Sequence, residues 1–198
     1  MNSIEQQIWG FTPEGEAVVR YTMTNAGGAF VVLSNIGAGI IAVNVPDRNG
    51  KLANVALGYD RFESYFGDGP YMGKTPGRFA NRIGEGRFTL DGKEYRLAQN
   101  SGGQHLHGGL KGFANKVWTG RVETDRVVFS LVSPDGDDKY PGEVTVEVCY
   151  DWNDDCELEI TYYAKTDAPT IINLTNHSYF NLKGESVGRA MEQELQLN

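Results

Sequence analysis

The 198-residue chain is short of cysteine, of basic charge and of long apolar runs, and each shortage closes off a class of function. Its two cysteines, Cys149 and Cys156, match no metal or redox spacing. They flank DWNDD, a stretch with hairpin character, so a cross-strand disulfide is geometrically open while free thiols in a reducing compartment are the expectation. Eighteen Lys and Arg stand against 26 Asp and Glu, a net charge of −8. Nucleic-acid binding runs on clustered cations, so this balance argues against it and leaves a neutral ligand unaffected. No apolar run approaches bilayer thickness, and the opening MNSIEQQIWG has no basic region followed by an apolar one. A soluble cytoplasmic protein with neither nucleic-acid nor membrane partner is predicted. No Gly-x-Ser-x-Gly elbow, phosphate loop or dinucleotide fingerprint is present.

What the chain does have is glycine (25 residues), aromatics (10 Tyr, 9 Phe, 3 Trp) and a side-chain period close to two. AVVRYTMTN (17–25), AFVVLSNIG (29–37) and GIIAVNVPD (39–47) read as strands between Gly and Asn breakers. RFTLDGKEYRL (87–97) sets Asp91-Gly92 between two alternating arms, a strong hairpin signal. Further pairs are expected over 116–133 and 143–166, and only DRFESYF (60–66) has weak helical character. An all-β antiparallel sandwich or barrel follows, organised as a single domain over residues 1–198.

Three segments break the alternation: YMGKTPGRFANRIGEG (71–86), NSGGQHLHGGLKGF (100–113) and NLTNHSYFNL (173–182). Loops carry chemistry disproportionately, so function is sought there. In the first, Asn81 and Arg82 are adjacent and reach one ligand together only if the backbone bends. Arg82 can hold vicinal hydroxyls or a carboxylate, or can pair with a surface acid. In the second, His105 and His107 share a face if extended, which raises a metal site with His177 as third ligand. That site is disfavoured, because nothing in the spacing supplies the usual ligand set, and His105 reads as peripheral. In the third, His177 is either a hydrogen-bonded core histidine held by Asn176 and Ser178 or a proton donor. All three histidines fall in just two of these segments, which points to acid/base chemistry on, or recognition of, a small polar ligand.

Taken together, GRFANRIGEGRFTLDGKEYRL, HLHGGLKGF followed by Val117-Trp118, SPDGDDKYPGEV (133–144) and NLTNHSYFNL closely resemble the aldose 1-epimerase (galactose mutarotase) family. The resemblance runs over essentially the whole chain. It implies a large antiparallel β-sandwich, the supersandwich of that family, and interconversion of the α and β anomers of an aldohexose without metal or other cofactor. It further implies His177 as the acid that protonates the ring oxygen and His107 as a catalytic group that binds and polarises the same region of the sugar. Arg82 would hold sugar hydroxyls, with Asn81 sharing that work.

The chain also departs from the pattern. The family's general-base glutamate, and an aspartate that binds sugar hydroxyls, lie well downstream of NHSYFNL, and none of Glu185, Glu192 and Glu194 matches that glutamate. The alternation of Glu194-Leu195-Gln196-Leu197 suggests a strand cut in mid-sheet, so the chain is expected to be the N-terminal portion of the sandwich. Exposed edges and an apolar face would then favour self-association or pairing with a complementing C-terminal segment. Without the base, the alternative is a catalytically silent carbohydrate-binding module of the same fold. A sugar-phosphate relative ranks last, since no cluster of Lys and Arg accompanies the motifs.

Overall fold

The computed structural model describes residues 3–197. Five antiparallel strands form one sheet in sequence order: β1 (Ser3–Phe11), β2 (Ala17–Thr24), β3 (Phe30–Ser34), β4 (Gly39–Pro46) and β5 (Leu52–Asn54). Four short strands follow: β6 (Arg82–Ile83), β7 (Arg87–Leu90), β8 (Lys93–Arg96) and β9 (His105–Leu106). β7 pairs with β8, and β6 pairs with β9. A second antiparallel sheet holds β10 (Thr119–Glu123), β11 (Arg126–Ser133), β12 (Val144–Trp152) and β13 (Leu158–Thr166).

The period-two pattern places the core. Along β12, Val144, Val146, Val148, Tyr150 and Trp152 are buried and meet Tyr21, Met23, Val31 and Leu33 of the first sheet. Two polar tips are satisfied across the interface, as buried aromatics require. The Tyr150 hydroxyl donates to the Ala38 carbonyl at 2.7 Å and the Trp152 indole donates to the Ala29 carbonyl at 3.2 Å. Tyr21 and Phe129 meet edge to face at 5.3 Å. The sheets therefore form a β-sandwich.

The expected hairpins are present. Asp91 and Gly92 both have positive φ, the geometry of a tight hairpin turn. DRFESYF supplies one 3₁₀ turn at Phe62–Tyr65. β1 was not expected: SIEQQIWGF is mostly exposed and does not alternate cleanly, and it is held by pairing with β2 and by Ile4 and Trp9, which pack against the core. Both cysteines are free; Cys149 faces Thr161 across the β12–β13 ladder and Cys156 sits at the turn. No helix among the described residues is long and apolar enough to cross a membrane.

β13 closes one side of the second sheet with no further strand beside it among the described residues, and its Tyr163 is 56 % exposed. Residues beyond it run outside regular strands and leave Phe180, Leu182, Val187, Met191, Leu195 and Leu197 exposed.

Candidate active site

The segment 173–185 is not a strand of either sheet; it is laced across several others. Asn173 donates from its backbone to the Arg78 carbonyl and accepts from the Ala80 N–H, at 3.0 and 2.8 Å. His177 donates to the Lys74 carbonyl at 2.8 Å and accepts from the Gly73 N–H at 3.1 Å. The Leu57 N–H then donates to the Tyr179 carbonyl at 2.9 Å, and the Asn181 N–H donates to the Val55 carbonyl at 2.8 Å. Asn176 fixes the approach: its amide donates to the Gly73 carbonyl at 2.8 Å, and its oxygen accepts from both the N–H and the hydroxyl of Ser178. The Asn-rich composition of this stretch therefore serves its own backbone first. Gly73 has φ +70, and a Cβ there would lie 1.9 Å from the Ile40 carbonyl oxygen, so only glycine lets the two chains approach this closely.

His107 arrives by a different route. β9 pairs with β6, so Arg82 faces Leu106 and Ile83 faces His105. The chain then turns, with φ +53 at His107. Phe113 locks the loop by donating to the Gly77 carbonyl at 2.9 Å, and Trp118 donates to the Phe113 carbonyl at 3.0 Å. Asn81 has φ +67, so the backbone bends there, and the Arg82 guanidinium donates to the Asn81 side-chain oxygen at 3.4 Å. The Asn81 N–H donates to His107 Nδ1 at 3.0 Å, while its carbonyl accepts from the His107 N–H at 3.1 Å. A backbone N–H can only donate, so in the neutral ring the proton sits on Nε2 and that nitrogen is a donor.

The two rings meet. His107 and His177 are 5.1 Å apart, nearly perpendicular, with Tyr71 4.7 Å from His107 and 6.0 Å from His177. Tyr179 stands 5.2 Å from His177 on its other flank and donates from its hydroxyl to the Pro70 carbonyl. Burial pushes the His107 imidazole down to about 4, and the charges of His177 and Arg82 push in the same direction. His107 is thus a neutral hydrogen-bond donor at neutral pH. Among the described residues, no hydrogen bond or ion pair joins a carboxylate to either imidazole. Glu185 accepts from the Asn54 amide and the Gly58 N–H, and Glu192 pairs with Lys183 at the surface.

His105 belongs elsewhere, and it is neither peripheral nor beside His107. The turn at His107 breaks the strand periodicity that would have aligned them, and His105 is fully buried. Its Nδ1 donates to the Ala98 carbonyl at 2.7 Å and its Nε2 accepts from the Tyr140 hydroxyl at 2.6 Å. No group of three or more His, Cys, Asp or Glu residues among the described residues is arranged to hold a metal. A cavity of about 580 Å³ lined by Thr12, Glu14, Phe66, Lys111 and Lys116 also lies away from the paired histidines.

Sequence reasoning missed the tyrosines beside the histidines. Nothing in residue type separates Tyr71 from the nine other tyrosines; its signal is its place at the head of a non-alternating segment. It also missed Arg78, one residue before the quoted motif's Phe79. This buried guanidinium donates to the carbonyls of Ser133, Pro134, Pro141 and Gly142, which explains why SPDGDDKYPGEV keeps a fixed shape.

Comparison with known proteins agrees with this fold. Galactose mutarotase from Bos taurus is 44 % identical over 195 residues, covering 98 % of this chain and 57 % of that protein. Aldose 1-epimerase from Escherichia coli (strain K12) is 38 % identical over 174 residues, covering 87 % and 50 %. Among solved structures, galactose 1-epimerase from Lactobacillus acidophilus NCFM matches with a TM-score of 0.81 at 28 % identity, covering 92 % of this chain and 54 % of that one. An aldose epimerase homologue from C. elegans matches with a TM-score of 0.78 at 32 % identity, covering 93 % and 52 %. The chain spans about half the length of the curated relatives it matches. The aldose 1-epimerase family model matches residues 19–198, and the chain belongs to that family.

Proposed function

We propose that this site interconverts the α and β anomers of an aldohexose such as galactose or glucose. The observation that carries the reading is the meeting of His107 and His177 at 5.1 Å, brought from separate segments to one surface beside Arg82. Ring opening removes the proton of the anomeric hydroxyl, forms the C1 aldehyde and breaks the bond from C1 to the ring oxygen. That oxygen leaves as an alkoxide unless it receives a proton. His177 supplies this proton, since an imidazole can give and retake one within a cycle. His107, neutral and donating from Nε2, polarises the same region. The Arg82 guanidinium and the Asn81 amide hold hydroxyls of the sugar, for which a planar fork of donors is suited. After rotation about C1–C2 the steps reverse from the other face.

The base is a carboxylate of the family type, brought by a complementing C-terminal segment. The exposed Tyr163, Leu182 and Leu195 surface supports such an association. A reducing cytoplasmic setting fits the two free thiols. That no carboxylate is bonded to either imidazole among the described residues also favours a second reading, a carbohydrate-binding module without turnover.

Polarimetry on freshly dissolved α-D-galactose separates them. The isolated chain should accelerate mutarotation only weakly, and His177→Ala should remove whatever acceleration exists, a loss of about 100-fold or more where turnover is measurable. Full family-like rates from the isolated chain would refute the missing-base reading. Undiminished catalysis by His177→Ala would refute the acid, and sugar binding with no acceleration by either protein would establish the binding module.

A further inference from the structure

Lys74 is fully buried, and its ammonium donates to the Tyr65 carbonyl at 2.5 Å and to the Asn115 side chain at 3.4 Å. It also pairs with Asp68, whose side chain is 3 % exposed. A buried ion pair is not needed for stability, since well-packed apolar residues of similar volume often do as well. Its retention therefore asks for another reason. The remaining bonds of Asp68 supply one. Its Oδ2 accepts from the Met72 N–H at 2.8 Å and its carbonyl accepts from the Tyr71 N–H at 3.4 Å, while the Lys74 N–H donates to the Tyr71 carbonyl at 3.1 Å. Between them Tyr71 is held at φ +56, a conformation that persists in a bulky residue only where its surroundings enforce it. The result is a phenol ring laid against both imidazoles, with Lys74 Nζ 5.7 Å from its centroid. The same short segment grips the backbone of His177 through Gly73 and Lys74.

We propose that Tyr71 is a positioning residue of the two-histidine site, pressed against both imidazoles by the buried Asp68–Lys74 ion pair. The assignment deepens the epimerase reading and rests on it for its catalytic meaning. Physically, Tyr71 lies 4.7 Å from His107, tilted against its ring, and adds to the burial that holds His107 in the neutral state that donates from Nε2. The charged and titratable groups facing His107 are His177, Arg82 and Tyr71 itself. Burial and the Asp68 charge push the Tyr71 phenol up, so it stays neutral and acts through bulk rather than charge.

The test follows the Cε1–H signals of His107 and His177 by NMR through a pH titration of the sugar-free chain. In wild type His107 should titrate near 4. Tyr71→Ala should move that midpoint up by at least about one pH unit, toward the ordinary histidine value, while Tyr71→Phe should leave it in place. Asp68→Asn should move it in the same direction as Tyr71→Ala. Should Asp68→Asn fail to fold, the apolar double replacement Asp68→Leu/Lys74→Met removes the charges while filling the space, and the same rise is expected. A folded Tyr71→Ala still titrating near the wild-type midpoint would overturn the positioning role. A wild-type midpoint in the folded pair-replacement would overturn the part given to the ion pair. Because no sugar or turnover enters this measurement, its failure is separable from failure of the epimerase reading, which polarimetry alone decides.

Discussion

Gly108 follows His107 with φ +84, and a Cβ there would lie 1.6 Å from the Gly77 carbonyl oxygen. The obstacle is backbone, so no side-chain rearrangement relieves it. Gly108→Ala should cost about 3 kcal/mol, roughly 6–12 °C in Tm, and thermal unfolding followed by circular dichroism checks it. His107 itself links stability to pH. Its folded midpoint lies at about 4, below the ordinary value of 6.5, so between those two pH values the unfolded chain binds the extra proton. Its contribution is therefore complete above the unfolded midpoint and drains away as pH falls toward the folded one. His105, also pushed down by burial, acts with the same sign. Urea unfolding at pH 7 and pH 4.5 should show the loss, and His107→Gln should show a smaller one. At this scale His107 and His177 stood out in the sequence because His is rare and confined to non-alternating segments, whereas Asn81 and Arg82 were singled out by the family resemblance. Tyr71 could not, since its role comes from a positive φ and a buried ion pair that no residue type announces.

Among elements, the loop joining β11 to β12 depends on a residue far from it in sequence. Arg78 reaches it with both terminal nitrogens, bonding four backbone carbonyls and the Ser133 hydroxyl, and lies 5.5 Å from the Tyr140 ring. Removing the guanidinium strands buried acceptors, each costly when unsatisfied. Arg78→Met should destabilise by about 3 kcal/mol or more, and Arg78→Lys should recover little, because an ammonium cannot reproduce the fork. Denaturant unfolding monitored by tryptophan fluorescence measures both. The hairpins were legible from alternation and from Asp91-Gly92, whereas β1 was hidden because its partner, not its pattern, makes it a strand. Whether His105 and His107 share a face was not legible in their spacing, because the strand rule does not hold across His107 with its positive φ.

For the molecule as a whole, the period-two pattern was enough to announce an antiparallel sandwich or barrel, because one buried face per sheet forces that alternation, and the family resemblance chose the sandwich. The meeting of three irregular segments at one surface was not readable from the pattern, since it depends on long-range backbone bonds such as those from Gly73 and Lys74 to His177. The same scale sets the behaviour of the open surface. Tyr163 on the edge strand β13 is exposed, and so are Leu182 and Leu195 in the segment that follows it. Sedimentation velocity should show self-association rising over about 1–100 µM, and Tyr163→Lys with Leu182→Lys should weaken it. The central claim is that His107 and His177 form one aldohexose site, and it is tested most directly by titrating D-galactose while following both imidazole Cε1–H signals. Both signals should move together along one saturating curve, with Arg82→Ala weakening the apparent affinity. Galactose that leaves both imidazoles unmoved at saturating concentrations, or that moves only one of them, would contradict it.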